Sequence, residues 1–124
     1  IEWARVHGRY YGSKKAHVLE YLKAGRDLLL NIDVQGAHTF RRDPSINAVL
    51  PGRVHTVFIK PASLEQIRER LRARGSDSEE EIRRRLETAR REIPIGESFD
   101  HIIISGSREA DYAALRRLYL EIRK

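Results

Sequence analysis

The chain has no cysteine and no methionine among its 124 residues. Without cysteine it can form neither a disulfide nor a thiolate metal site, and this composition is compatible with a cytoplasmic protein. The missing methionine, together with a chain that begins at Ile1, leads us to expect a segment of a longer gene product. No apolar run approaches the roughly 20 residues that a membrane span needs, and no signal-like segment opens the chain. We therefore expect a soluble protein without a membrane partner.

Several catalytic motifs are missing as well. The histidines show no H-E-x-x-H or comparable ligand spacing, and the chain has no G-x-S-x-G element of the hydrolase type. We therefore expect no metal site made by the protein, and we expect the histidines to be surface or packing residues. They are His7, His17, His38, His55 and His101.

The chain carries more positive than negative charge, and residues of the two signs are mixed along the sequence. Lys and Arg number 24 against 18 Asp and Glu, and the net charge of +6 favours an anionic partner such as a nucleotide phosphate or a nucleic acid. Carboxylates and guanidinium groups alternate along EQIRERLRARGSDSEEEIRRRLETARRE, and unbroken basic blocks are absent. Because such blocks are typical of nucleic-acid-binding segments, we expect no nucleic-acid partner.

The apolar pattern predicts three buried strands. Each is a short, near-continuous apolar run, which is typical of strands covered on both faces in a parallel sheet. Between the first two, the segment DPSINAVLPG carries two prolines and a glycine, and we predict that it is a loop. The predicted strands are residues 27–33, 55–61 and 101–105.

Helices are predicted between and after these strands. Ser63 with Gln66 and Ser78 with Glu81 form capping-box patterns, and Gly75 ends the first helix of this consecutive pair. Alternation of strands and helices predicts a single α/β domain over residues 1–124, with an open, mostly parallel sheet and flanking helices. The remaining predicted helices are 14–24, about 34–42, and a last one with Leu115, Leu118 and Ile122 on one stripe.

Asp33 is a candidate site residue because it follows the first predicted strand. Ligands of open α/β sheets bind at the carboxyl ends of strands, and Asp33 lies at that end of DLLLNID. Aspartate is also among the favoured residues at a helix N-cap, so Asp33 could equally be only the cap of the next helix.

Three motifs together resemble the guanylate kinase family. They are IEWARVHGRYYGS, LLLNIDVQGA and SLEQIRERLRARGSDSEEEIRRRLETARREI, they stand in the family's order, and the resemblance extends over nearly the whole chain. The resemblance implies transfer of the γ-phosphoryl group of ATP to GMP, with Mg²⁺ accompanying ATP, in the purine metabolism of the cytoplasm. It also implies a partial P-loop kinase fold, with a guanine-binding part at about 1–36 and a helical lid at about 63–93.

The resemblance assigns the GMP-binding residues. Guanine presents N1–H and a 2-amino group as donors beside the O6 acceptor, so its pocket needs carboxylate acceptors and a hydroxyl or amide donor. By similarity to the family, Glu2 and Asp33 accept hydrogen bonds from the base and Ser13 lies near O6, while Tyr11 and Gly12 help to hold the phosphate. Ser13 could also be only the N-cap of the predicted helix that follows it.

The resemblance also assigns three lid arginines: Arg70, Arg74 and Arg85. Phosphoryl transfer depends on positioning and on cations that face the charge spreading over the equatorial oxygens, a role that suits planar guanidinium groups. We expect most other arginines of the helical pair to form solvated pairs with nearby glutamates.

The chain departs from the family pattern at several places, one of which is the absence of an arginine-rich segment that grips the GMP phosphate in the family. No G-x-x-x-x-G-K-[ST] phosphate loop occurs between Ile1 and Lys124. Asn31 stands where Asp or Glu is expected, and Ser105-Gly106-Ser107 replaces an Asn-Asp pair that contacts adenine. The resemblance is therefore to the carboxyl-terminal portion of a guanylate kinase, and we expect the isolated chain to be inactive and to self-associate. The alternative function is a guanylate-kinase-like module that binds phosphopeptides without catalysis.

Overall fold

The computed structural model describes residues 2–5, 18–49 and 51–123, with the backbone alone for residues 2–5 and 49. The chain divides into two compact units, Ile1–Thr56 and Val57–Lys124. Each unit contains a pair of parallel strands with helices beside it, which confirms the predicted α/β class.

The first unit is built around a parallel pairing of two short strands. Strand β1 (Glu2–Arg5) pairs with β2 (Leu28–Asn31), so that Glu2 lies opposite Leu28 and Arg5 opposite Asn31. The predicted strand at 27–33 is confirmed in its central four residues. The helices of this unit are α1, described over residues 18–23, α2 (Val34–Arg41) and α3 (Pro44–Val49).

A small apolar core holds the first unit together. Val18 of α1, Phe40 of α2 and Ile46 of α3 form its buried centre, and Ile46 is 0% exposed. Half-buried Leu28 and Leu30 of β2 pack against this centre. The apolar side chains of β2 thus pack against helices, as the pattern of the sequence indicates.

Helix α3 corrects one prediction. The segment DPSINAVLPG was expected to be a loop, but Pro44–Val49 within it is helical. Asp43 Oδ1 accepts hydrogen bonds from the backbone N–H groups of Ser45, at 2.8 Å, and Ile46, at 3.4 Å. Pro44 occupies the first helical position, where a missing N–H costs nothing. The Asp-Pro pair was therefore a helix-start signal, because the first proline opens the helix.

The second unit pairs two strands that flank the helical hairpin in sequence. Strand β3 (Val57–Lys60) lies parallel to β4 (His101–Ile104), with Val57 opposite His101 and Lys60 opposite Ile104. Both strands lie within the predicted ranges. The helices are α4 (Leu64–Arg74), α5 (Glu79–Gly96) and α6 (Arg108–Arg123).

Helices α4 and α5 form a hairpin whose caps are those predicted. Ser63 Oγ accepts from the Gln66 N–H at 3.1 Å, and Ser78 Oγ accepts from the Glu81 N–H at 3.2 Å. Gly75 ends α4 with a φ of 71°, a left-handed conformation that glycine adopts without steric cost. The core of the hairpin is a cluster of apolar side chains from both helices, comprising Leu71, Ile82 and Leu86 with Leu64 and Ile67 packed against them.

The end of α5 packs closely onto β3. A Cβ atom added at Gly96 would lie 2.5 Å from the ring of Phe58, so only glycine fits there without a shift of the ring or the helix. The Phe58 ring also meets Phe99 edge to face, with 6.0 Å between the centroids. Gly96 therefore allows the end of α5 to lie directly against the Phe58 ring.

Helix α6 is amphipathic as predicted, although its stripe is incompletely covered. Leu115 and Leu118 are half-buried, whereas Ile122 is 37% exposed. Within residues 18–49 and 51–123, no helix combines the length and the apolar character that crossing a bilayer requires.

Candidate functional site

Asp33 lies in the first unit, between the end of β2 and the start of α2. Its Oδ1 accepts a hydrogen bond from the Gly36 N–H at 2.6 Å, so Asp33 is the N-cap of α2. Its Oδ2 makes no hydrogen bond to any residue that the structure describes. The side chain is exposed. One oxygen therefore serves the helix, and the other is not engaged by the described part of the chain.

The other predicted GMP-binding residues are only partly described. Glu2 lies at the start of β1, opposite Leu28, whereas Asp33 follows the far end of β2. The described backbone therefore does not place these two residues side by side. Tyr11, Gly12 and Ser13 lie outside the described residues.

Arg70 of α4 is held by the loop that follows β4. Its Nη1 donates to Ser105 Oγ at 3.1 Å, and its Nη2 donates to the Gly106 carbonyl at 2.7 Å. Gln66, one helical turn earlier, donates from Nε2 to the Ser105 carbonyl at 3.0 Å. The face of α4 that carries Gln66 and Arg70 is thus tied to the Ser105-Gly106-Ser107 segment.

Asp111 completes this network from α6. Its Oδ1 accepts from the Gly106 N–H and its Oδ2 from the Ser105 hydroxyl, both at 2.8 Å. These two hydrogen bonds, the first more than the second, and the charge of Arg70 lower the pKa of Asp111 below its ordinary value of 3.8, against a smaller opposing effect of desolvation. Ser105 is therefore an integral part of a packed polar network.

Arg74 and Arg85 converge on one carboxylate in the α4–α5 hairpin. Arg74 Nη2 lies 2.9 Å from Asp77 Oδ2, and Arg85 Nε lies 3.7 Å from the same oxygen. The Asp77 side chain is 6% exposed, whereas each arginine side chain is 55% exposed. The structure thus brings together two of the three predicted lid arginines.

The charges around Asp77 favour its ionised form. The hydrogen bond from Arg74 is the main cause that lowers the pKa of Asp77 from 3.8, and the positive charges of Arg85 and Arg74 act in the same direction against desolvation. A guanidinium group carries five N–H donors. Contacts to a single oxygen leave most donors of both arginines free to meet phosphate oxygens.

Arg68 and Arg84 form exposed pairs of the kind expected from the sequence, whereas Arg72 of α4 pairs with Glu79 of α5, at 3.5 Å, and not within its own helix. Arg68 pairs with Glu65 at 3.7 Å, and Arg84 pairs with Glu80 at 3.1 Å, each within one turn of its own helix. The members of the second pair are 74% and 65% exposed. Such pairs are screened by water and contribute little.

Asp77 and Asp111 are the polar residues that sequence reasoning missed. Asp77 stands in RGSDS, between two arginine-bearing helices, and this position was the available signal. The fold brings Asp111 near Arg70, since both side chains hydrogen-bond the Ser105 hydroxyl, and no local sequence pattern predicts that arrangement. In the described part of the chain, no three His, Asp or Glu side chains form a group that could hold a metal ion.

The comparisons with known proteins agree on one family. The family profile described as guanylate kinase matches residues 1–121. The chain is 43% identical over 120 residues to a guanylate kinase of Nitratidesulfovibrio vulgaris, covering 97% of this chain and 55% of that protein. It is 42% identical over 121 residues to the guanylate kinase of Gloeobacter violaceus, covering 98% and 56%.

A third relative matches at a similar identity and over a similar share of each chain. The guanylate kinase of Caulobacter vibrioides is 39% identical over 119 residues, which are 96% of this chain and 53% of that protein. The chain thus spans about half the length of the curated relatives it matches. The match nevertheless extends over both units and includes the Asp33 cap and the Arg74–Asp77–Arg85 cluster. The chain belongs to the guanylate kinase family.

Proposed function

We propose that this chain carries the GMP-recognising and lid portions of a nucleoside monophosphate kinase that converts ATP and GMP to ADP and GDP. The observation that supports this most strongly is the family match over residues 1–121. The relatives named above are guanylate kinases, and the chain spans about half of each. The proposal places the chain in the purine nucleotide metabolism of the cytoplasm.

Asp33 is proposed to recognise guanine with the oxygen that the helix cap leaves open. Because Oδ1 is fixed by the Gly36 N–H, the orientation of the carboxylate is set before any ligand arrives. Oδ2 then accepts from the N1–H or 2-amino group of the base. Adenine would offer the wrong donor pattern. The proposed roles of Glu2, Tyr11, Gly12 and Ser13 depend on the motif resemblance alone.

Arg74 and Arg85 are proposed to stabilise the phosphoryl group in transfer. Both guanidinium groups are half-exposed and lie within reach of one carboxylate oxygen, so both can face the same anion. Cations placed in this way offset the negative charge that develops on the equatorial oxygens. Arg70 belongs to the same proposal, but it would first have to release Ser105 and Gly106.

ATP is proposed to enter with Mg²⁺ as part of the substrate. Magnesium usually keeps several waters and binds through substrate phosphates with one or two carboxylates. The chain itself has no G-x-x-x-x-G-K-[ST] motif, so it lacks the backbone cradle and the lysine for the phosphates of ATP. We therefore predict that the isolated chain produces no ADP in a coupled assay with GMP and ATP. Turnover at rates typical of kinases, about 1–100 s⁻¹, would contradict this prediction.

The proposed function is tested directly by a chimera. This chain replaces the matched 120 residues in the guanylate kinase of Nitratidesulfovibrio vulgaris, and ADP formation is measured with GMP and with AMP. We expect GMP-dependent turnover and little use of AMP. A folded chimera without GMP-dependent turnover would contradict the proposal. Binding of phosphopeptides by such an inactive chimera would instead favour the non-catalytic module.

A further inference from the structure

Asp77 lies at the centre of the only cluster in the described residues where two predicted lid arginines meet. Arg74 is the last residue of α4, Arg85 lies in α5, and Asp77 belongs to the turn that joins the two helices. Both arginines contact the same oxygen, Oδ2. We propose that Asp77 is a positioning residue that holds Arg74 and Arg85 together as a clamp for a phosphoryl-bearing ligand. This inference rests on the proposed function of the two arginines.

The first argument concerns repulsion between the arginines. Two guanidinium groups that share one oxygen are close enough to repel each other, and the negative charge of Asp77 between them offsets that repulsion. The Asp77 side chain is 6% exposed, so little water is present to screen its charge. Without that charge, the two long side chains would separate and recover their rotamer freedom.

The second argument concerns what remains open after the pairing. Each arginine is 55% exposed and uses one contact to Asp77, which leaves the rest of its planar group available. A carboxylate that blocked the arginines would occupy them by two parallel hydrogen bonds, the usual geometry of a closed Arg–carboxylate pair. The observed single contacts orient the arginines without saturating them.

Two possible roles of Asp77, competition with a bound anion and positioning of the arginines, predict opposite results for Asp77→Asn. If the carboxylate only competed with an anion, Asp77→Asn would tighten anion binding, because one negative charge is removed. If it positions the arginines, the same change weakens binding. Glu80→Gln is the matched control, since it removes one negative charge from the same hairpin at an exposed pair with Arg84.

The experiment titrates inorganic tripolyphosphate into the 124-residue chain by calorimetry. We expect binding to the unchanged chain, equal or slightly tighter binding to Glu80→Gln, and about five- to tenfold weaker binding to Asp77→Asn. Asp77→Glu, which keeps the charge, should restore part of the affinity. No binding to the unchanged chain, or binding to Asp77→Asn as tight as to Glu80→Gln, would overturn the inference.

Two further measurements separate positioning from a merely structural role. The Arg85 Nε–Hε resonance should be ordered in the unchanged chain and in Glu80→Gln, and averaged in Asp77→Asn while helix content stays the same. In an Arg85→Ala background, Asp77→Asn should weaken tripolyphosphate binding less than it does in the unchanged chain, because only Arg74 is left for Asp77 to position. An unchanged resonance, or an undiminished effect in that background, would overturn the inference.

The experiments distinguish failure of the Asp77 clamp from failure of the proposed kinase function. Tripolyphosphate contains no base and is not phosphorylated in this experiment, so its binding does not depend on GMP recognition. If the chimera has no GMP-dependent activity but Asp77→Asn weakens tripolyphosphate binding, the proposed function fails and the clamp stands. If the chimera is active and Asp77→Asn behaves as Glu80→Gln does, the clamp fails alone.

Discussion

Two aspartates of the second unit are held in their ionised form by the donors around them. Asp111 accepts from Gly106 and Ser105, and Asp77 accepts from Arg74 beside Arg85, and the pKa of each carboxyl is lowered from 3.8. A lowered pKa in the folded chain means that ionisation stabilises the fold. This stabilisation is present above the unfolded pKa and is lost as the pH falls through the folded one.

The contribution of Asp111 predicts a pH dependence of stability. Asp111→Asn removes the charge that Ser105, Gly106 and Arg70 stabilise, so the free energy of unfolding should fall at neutral pH. The difference between variant and unchanged chain should shrink as the pH falls from the ordinary pKa of 3.8 through the lower pKa of the folded chain, where the native carboxyl takes up its proton. Urea unfolding at several pH values measures it. Glu109→Gln, an exposed change on the same helix, is the control, and an equal effect of both variants would contradict the prediction.

At the scale of elements, the packing of α5 on β3 depends on one glycine. Gly96 allows the helix to approach the Phe58 ring at a distance where a Cβ would lie 2.5 Å from ring carbons. An aromatic ring packed between a helix and a strand has little room to move away. The position of α5 on β3 therefore depends on residue 96 having no side chain.

Replacement of Gly96 tests this packing. Gly96→Ala should lower the free energy of unfolding by about 1–3 kcal/mol, the usual cost of overpacking, even though alanine favours helix. Gly106→Ala is the matched control, because the nearest atom to its added Cβ is Ala110 Cβ at 3.9 Å. Denaturant unfolding of both variants gives the comparison. A Gly96→Ala chain as stable as the control would show that α5 is not held at this distance.

Local signals predicted most of the elements, and contacts between distant residues escaped prediction. Capping residues such as Ser63 and Ser78 act within three residues, so the hairpin and its caps were predictable. Helix α3 was missed because its prolines indicated a loop, although Asp43 caps it. The bond between Arg70 and Ser105 spans 35 positions, and only the fold brings such residues together.

For the whole molecule, apolar side chains remain exposed on the strands of the second unit. Ile59 is 43% exposed, Ile102 is 44% exposed and Ile104 is 59% exposed. Among the described residues each sheet has two strands, so each strand has one edge to which no described strand pairs. Exposed apolar groups beside an open strand edge favour association with another chain.

We therefore predict self-association of the 124-residue chain. Light scattering over a concentration series should show dimers or larger species, and Ile104→Lys should shift the equilibrium towards the monomer by about tenfold or more, since a charge on the buried contact is costly. Leu120→Lys, at a 44% exposed position on α6, is the control and should have a smaller effect. A monomer at every concentration, with no binding of an apolar dye, would contradict this prediction.

The most direct test of the central claim is the GMP kinetics of Asp33→Asn in the chimera described above. Asn keeps an Oδ1 acceptor for the Gly36 N–H, so the cap survives, while Nδ2 replaces the Oδ2 acceptor that we propose for guanine. We predict that kcat/KM for GMP falls roughly ten- to a hundredfold, with the KM for ATP much less affected. Asp43→Asn, a change at the cap of α3, should leave GMP kinetics unchanged. If Asp33→Asn has the same GMP kinetics as Asp43→Asn, Asp33 is a helix cap alone and the guanine-recognition account is wrong.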